Sequence, residues 1–68
     1  MRLRVNGEQR QLADGATVRD VLALLDVAPD ARGVAVAVDA EVVPRGSWDA
    51  TELADGAHVE VLSAIQGG

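Results

Sequence analysis

The chain has 68 residues, enough for one small domain, which buries only about 60% of its unfolded surface. That length leaves no room for a deep substrate cavity. Six arginines stand against eleven acidic residues and the net charge is −5, which argues against the basic patch of a nucleic-acid binder. An acidic surface favours a basic protein partner instead, because opposite charge steers encounter, or it serves solubility alone.

The chain contains no cysteine, so it forms no disulfide and no thiolate metal site. This absence fits a reducing compartment, and we expect a cytoplasmic location. The first residues begin a strand pattern and lack the apolar region of a signal peptide. No apolar run approaches the roughly 20 residues of a membrane span, so we expect no membrane association.

The N-terminal segment predicts a β-hairpin. Met1, Leu3 and Val5 alternate with two arginines, which is typical of a half-buried strand. Asn6-Gly7 follows, and this dipeptide favours a type I′ turn because both turn residues need a positive φ. The return strand over 8–12 is mostly polar, which indicates the edge of a sheet.

A helix is predicted next, after a loop over 13–16. Thr17 has the residue type of a helix N-cap, and Asp20 stands at the third helical position, as in a capping box. The helix should end near Asp26-Val27. Its apolar stripe has helical spacing and consists of Val18, Val21, Leu22 and Leu25.

The second half of the chain predicts three more strands. The apolar, β-branched run over 34–38 indicates a strand near the middle of a sheet, covered on at least one face. After a turn at Asp39-Ala40, a short strand over 41–43 is stopped by Pro44. An irregular segment over 45–51, with one 3₁₀ turn, and a turn at Asp55-Gly56 lead to a last strand over 58–62.

The order strand, strand, helix, strand, strand, strand predicts the β-grasp arrangement of the α+β class. This is a mixed sheet of four to five strands packed on one helix. The first and last strands should lie side by side and parallel in the centre. We assign 1–62 to this domain and 63–68 to a flexible tail that leaves from the end of a central strand.

Catalysis by the chain itself is not indicated, and we predict neither a catalytic residue nor a metal site. The single histidine, His58, begins a strand and has no placed nucleophile. Asp49, Glu52 and Asp55 lack the spacing of metal ligands. No glycine-rich loop followed by lysine precedes a helix, so the chain should bind no ATP and no other cofactor.

The sole aromatic residue, Trp48, has two interpretations. It can cover one end of the core, which is the more common role, or it can anchor an interface, where tryptophan is enriched. Arg45 can pair with a partner's carboxylate or with an internal acid such as Asp49. The sequence leaves both pairs of alternatives open.

The ending Gln66-Gly67-Gly68 follows the last predicted strand directly. Two glycines have no Cβ, so they can extend into a channel that is too narrow for other residues. Such a tail can bring its terminal carboxylate to a partner's active site, where adenylation makes it an electrophile. The sequence therefore predicts a carrier whose reactive group is its own C-terminus. The plainer interpretation is a frayed end, as termini often are.

The chain resembles the ThiS family of sulfur carriers in thiamin biosynthesis over nearly its full length. The matching stretches include the first strand with Asn6-Gly7, the start of the helix, and the end with Gly67-Gly68. They also include the run from Val34 to Trp48 and the segment Leu53 to Glu60. Asp39 stands where the family often has Asn, and Ala57 where it often has a second Asp. Both lie in predicted turns, so we expect little consequence.

The resemblance implies a non-catalytic β-grasp carrier. A ThiF-type enzyme would adenylate the Gly68 carboxylate with ATP and Mg²⁺, and sulfur, often relayed from a cysteine desulfurase, would then give a thiocarboxylate. A ThiG-type thiazole synthase would receive that sulfur. Gln66 and Gly67 would be recognised in the partner's channel, with Ser63 as a further hydrogen-bonding residue. The candidate docking residues are Leu62, Ala64, Ile65, Trp48 and Arg45.

Three other functions remain open at this point. A MoaD-like small subunit of molybdopterin synthase shares the fold and the thiocarboxylate, and carriers of other sulfur pathways do so too. A ubiquitin-like protein modifier would use the same tail, although the lack of lysine excludes chains linked through its own side chains. A β-grasp interaction module with an inert tail is the third.

Overall fold

The computed structural model describes residues 1–28 and 30–63. They form one mixed sheet of five strands in the order β2-β1-β5-β3-β4, and one α-helix. The predicted α+β, β-grasp arrangement is confirmed. The elements are β1 (Arg2–Val5), β2 (Glu8–Gln11), α1 (Val18–Leu24), β3 (Val34–Val38), β4 (Glu41–Val43), a 3₁₀ turn (Arg45–Ser47) and β5 (His58–Ser63).

The first hairpin has the geometry that its turn residues favour. Asn6 and Gly7 have φ of 52° and 82°, so the two-residue turn sets Val5 opposite Glu8. Strand β2 lies at one edge of the sheet, and none of its residues is fully buried. The predicted polar edge strand is confirmed.

Helix α1 begins where its capping residues predict. The Thr17 amide donates to Asp20 Oδ2 (2.8 Å), which satisfies one N–H that the helix itself leaves without a partner. Val18, at the first helical position, is fully buried.

Helix α1 ends earlier than its periodicity predicts, at Leu24. Asp26 adopts a left-handed conformation, with φ of 59°, and the Val27 amide donates back to the Leu22 carbonyl (2.9 Å). This is a Schellman-type termination with aspartate in the place that glycine usually occupies. The end of the helix is thus set by the residue following its cap, and not by the length of its apolar stripe.

The core lies between α1 and one face of the sheet. Strands β1, β3 and β5 turn alternate side chains toward the helix. The cluster of buried residues consists of Leu3, Val5, Val18, Val21, Leu22, Val36, Trp48, Leu53, Ala57, Val59 and Val61. We call this side of the sheet the inner face and the opposite side the outer face. Among the described residues no helix is long and apolar enough to cross a membrane.

Candidate functional site

The residues predicted to carry the chemistry, Gln66, Gly67 and Gly68, lie outside the described residues, and so do Ala64 and Ile65. Their predicted roles stay predictions. The structure does describe the strand that leads to them. Strand β5 reaches Ser63, so the sheet extends one residue into the segment that the sequence assigned to the tail.

Strand β5 occupies the centre of the sheet and is paired on both sides. It runs parallel to β1 and antiparallel to β3, with Val34 opposite Ser63 at the end that leads to the tail. The predicted central, parallel pair is confirmed. The pairing with β3, which continues to Ser63, fixes the position and direction from which the chain continues toward Gly68.

Two side chains from turns extend the hydrogen bonding of β5 at its two ends. Asn6 Oδ1 accepts the Val61 amide (2.8 Å), which adds a contact where the β1 backbone has already turned away. Asp39 Oδ1 accepts the His58 amide (3.0 Å) at the start of the strand. Asp39 thus fills a structural role in its turn, and Ala57, the other departure from the family pattern, is buried in the core.

Leu62 lies on the outer face and is 69% exposed. Its register partner on β3 is Ala35, and Ala37, further along β3, stands opposite Val42 of β4, which is 77% exposed. Together with Glu60 these residues line a shallow hollow of about 120 Å³. We call Ala35, Ala37, Val42 and Leu62 the apolar patch. Exposed apolar side chains gathered on one face are a common feature of protein interaction surfaces.

The sequence pointed to Leu62 but missed the other three residues of the apolar patch. The run over 34–38 is apolar at every position, so alternation alone cannot show which of its side chains face outward. The two-residue turn at Asp39-Ala40 was the available signal, since it sets Val38 opposite Glu41 and hence Ala37 opposite Val42.

Trp48 is buried in the core, which contradicts its prediction as an interface residue. The side chain is 1% exposed, and the indole N–H donates to the Val43 carbonyl (2.9 Å). The guanidinium carbons of Arg19 and Arg45 lie 5.3 and 4.6 Å from the ring centroid. The alternative, a tryptophan that completes the core, is confirmed. Such cation–π contacts over a buried ring stabilise the domain.

Arg45 is exposed, although its guanidinium already covers Trp48 and donates to the Ala31 carbonyl. Asp49, one of the acids proposed to pair with it, forms an ion pair with Arg19 (2.9 Å). A role for Arg45 in docking stays a prediction. Its contacts with Trp48 and Ala31 show that it also has a structural role.

The acids that lie close together in sequence have separate structural contacts. Asp49 pairs with Arg19, whereas Asp55 Oδ1 accepts the Arg2 amide (2.7 Å) at the start of β1. Within residues 1–28 and 30–63, no group of histidine, aspartate and glutamate side chains is arranged to hold a metal ion. His58 is exposed at the start of β5.

A five-stranded mixed sheet in this order, packed on one helix, is the β-grasp fold of ubiquitin-like proteins. Comparison with known proteins places the chain more narrowly. A sequence model of the ThiS family matches residues 3–68. The chain therefore belongs to the ThiS family.

Two relatives contain a similar sequence, one as a whole chain and one as part of a longer chain. Sulfur carrier protein ThiS of Escherichia coli is 32% identical over 68 residues, which cover all of both chains. A thiazole synthase of Paramagnetospirillum magneticum is 38% identical over 68 residues, but the chain spans only 20% of the length of that protein. The similar segment is thus a small part of the larger enzyme.

Two solved structures from Geobacter metallireducens have the same fold. The crystal structure of its thiamine biosynthesis protein ThiS has a TM-score of 0.79 and 38% sequence identity, with full coverage of both chains. The solution structure of a thiamine biosynthesis protein from that organism gives the same TM-score and identity, and covers 88% of that chain.

Proposed function

We propose that this member of the ThiS family, a sulfur carrier of thiamin biosynthesis, holds its sulfur as a thiocarboxylate on Gly68. The observation that carries the proposal is the family match, which extends through the Gly-Gly end at residue 68. The pairing of β5 up to Ser63 supports it, because the tail then starts from a fixed point.

The chemistry requires two steps at one carbon atom. A carboxylate oxygen of Gly68 attacks the α-phosphorus of ATP, and pyrophosphate leaves. The partner enzyme holds the Mg²⁺ that this step uses. A sulfide sulfur then attacks the carbonyl carbon of the acyl adenylate, and AMP leaves, carrying the former carboxylate oxygen. The product is a thiocarboxylate. A cysteine desulfurase is the proposed source of the sulfur; because it carries that sulfur as a persulfide, a thiol reductant must supply the two electrons that release it at the sulfide level, and the thiol is oxidised to a disulfide.

Two partners follow from this scheme. A ThiF-type enzyme would supply ATP and the adenylating site, since the chain has no phosphate-binding loop. A ThiG-type thiazole synthase would accept the sulfur. The relative from Paramagnetospirillum magneticum supports the second partner, because a protein named thiazole synthase includes a segment similar to this whole chain. Gln66 and Gly67 would be recognised in the channels of both enzymes.

The apolar patch is the proposed docking surface for the adenylating enzyme. Leu62 and Val42 offer the largest exposed apolar side chains of the sheet, and Leu62 directly precedes the segment 63–68 that the sequence assigns to the tail. Burial of such side chains at the centre of an interface gives much of its binding energy. Docking through the apolar patch would place the end of β5, where the tail begins, beside the adenylating site of the enzyme.

The direct test is intact mass spectrometry after incubation with ATP, Mg²⁺, a ThiF-type enzyme and a sulfide source. We expect the mass change of one oxygen replaced by sulfur, located at Gly68 by fragmentation. A variant that lacks Gly68 serves as the control and should stay unmodified. An unmodified wild-type chain, with an enzyme shown to activate its own carrier, would overturn the proposal.

Leu62→Asp tests the docking surface separately. Losing the contacts of a buried leucine costs about 1.5–3 kcal/mol, so the KM for adenylation should rise roughly 10- to 100-fold. Leu24→Asp is the matched control, because Leu24 is 39% exposed on α1, away from the outer face. If both variants show wild-type adenylation kinetics, the patch is not the docking surface.

A further inference from the structure

The outer face of the sheet is divided into an apolar and a basic half. The apolar patch covers β5, β3 and β4, whereas β1 presents Arg2 and Arg4 on the same face, both exposed. In the register, Arg2 lies opposite Gln11 of β2, and Arg4 lies between Gln9 of β2 and His58 of β5. No carboxylate is directly opposite either arginine. We call Arg2 and Arg4 the basic strip.

The charge of the outer face is opposite in sign to the charge of the rest of the domain. Glu60 is the single acid among the strand residues that point outward, so this face carries two arginines and one glutamate. The remaining side chains of the sequence comprise four arginines and ten acids, which leaves them strongly negative. The residues outside the described ranges contribute no charged side chain to this balance.

Two acids at the starts of β1 and β5, Asp55 and Asp39, already have backbone partners. Asp55 accepts the Arg2 amide (2.7 Å) and Asp39 accepts the His58 amide (3.0 Å), so both carboxylates are held at the end of the sheet remote from the tail. Arg4 donates to the Gly7 carbonyl (2.9 Å), which directs its guanidinium toward the Asn6-Gly7 turn. That turn adjoins the last part of β5, through the Asn6 contact with Val61.

We propose that the enzyme surface that docks on the outer face is acidic where it meets Arg2 and Arg4, and apolar where it covers Leu62 and Val42. The inference rests on the proposed function, since the partner is the adenylating enzyme. It reverses the expectation from net charge, which favoured a basic partner. The charge on the docking face, and not the total, determines which surface it fits.

An acidic partner surface would also select the orientation of approach. It repels the strongly negative remainder of the domain and attracts only the face beside the end of β5. Wrong encounters are thereby disfavoured before any contact forms, and the tail arrives on the correct side. The apolar patch then supplies short-range affinity that salt does not screen.

The test is the association rate of the full chain with an immobilised ThiF-type adenylating enzyme. Arg4→Glu should slow association about tenfold at roughly 0.1 M salt, where charges act over about 10 Å, and have little effect near 1 M, where they act over about 3 Å. Arg10→Glu is the matched control, because Arg10 changes the net charge equally and lies in the same hairpin, on the inner side opposite Leu3. Arg10→Glu should change the association rate by less than about twofold.

Further variants and outcomes make the test decisive. Arg4→Lys keeps the charge and should restore the wild-type rate, and Trp48 fluorescence verifies that each variant is folded. Two outcomes would overturn the inference of an acidic partner surface, provided that the enzyme still adenylates the wild-type chain. One is equal slowing of association by Arg4→Glu and Arg10→Glu, and the other is faster association of Arg4→Glu than of the wild type. Failure of the same enzyme to adenylate the wild-type chain would overturn the proposed function, and this inference with it.

Discussion

Asn6 combines two structural roles that substitutions can separate. Its φ of 52° lets the first hairpin turn, and its Oδ1 accepts the Val61 amide (2.8 Å) beside the end of β5. Asn6→Asp keeps both the acceptor and the tolerance for a left-handed conformation. Asn6→Gly keeps only the conformation, and Asn6→Ala keeps neither. The three variants therefore form a series in which one contribution is removed at a time.

The expected losses in the free energy of unfolding follow from these roles. Removing the acceptor leaves the Val61 amide without its partner, which costs about 1 kcal/mol at a partly buried position. Glycine at position 6 lowers the free energy of unfolding by a further amount of about 0.5–1 kcal/mol, because it increases the conformational entropy of the unfolded chain. Alanine in a left-handed conformation adds about 1–2 kcal/mol. We expect a change near zero for Asn6→Asp, about 1.5–2 kcal/mol for Asn6→Gly and about 2–3 kcal/mol for Asn6→Ala.

The assay is urea unfolding followed by the fluorescence of Trp48, which is the sole aromatic residue and is buried in the folded state. With a slope of roughly 1 kcal/mol per molar urea, the midpoint should fall by about 2 M for the glycine variant. Hydrogen exchange of the Val61 amide supplies the local measurement. Its protection should decrease more in Asn6→Gly than in Asn6→Asp. Equal stability and equal Val61 protection in these two variants would refute the reasoning.

Three further predictions concern single positions. Ala40→Gly should raise the free energy of unfolding by about 0.5–1 kcal/mol, because Ala40 has φ of 71° and glycine removes the strain of its Cβ there. Urea denaturation measures the change, and a lower midpoint would contradict the argument. Trp48→Ala should cost about 3–5 kcal/mol, since it empties a fully buried site, and circular dichroism at 37 °C should show a largely unfolded chain. A folded variant with an unchanged melting temperature would show that Trp48 is not essential to the core. Asp20→Ala should cost about 1 kcal/mol, because the Thr17 amide loses its acceptor at the start of α1. Asp20→Glu is its control, and equal thermal midpoints for the wild type and both variants would argue against the cap.

Most of the fold could be predicted from local signals in the sequence. Asn6-Gly7 and Asp39-Ala40 each set a two-residue turn, and the turn at Asn6-Gly7 fixed the register of its hairpin. Thr17 and Asp20 marked the first turn of α1. These features depend on neighbours in the chain, which is why a single sequence is enough to find them.

The parts that could not be predicted depend on residues far apart in sequence. The burial of Trp48 requires the positions of Arg19 and Val43, which belong to other elements. The apolar patch requires the register between β3, β4 and β5. The early end of α1 depends on Asp26 taking a conformation that aspartate adopts less often than glycine. In each case a tertiary contact or a rare backbone state overrides the local pattern.

The central place of β5 also governs how the domain responds to mechanical load. A pull on the chain beyond Ser63 acts along β5, roughly at right angles to its hydrogen bonds with β1 and β3. The ladder with β3, which continues to Ser63, is then stressed in shear, so its hydrogen bonds share the force. If an enzyme draws the end of this chain into its channel, as proposed above, the domain behind it should therefore stay folded.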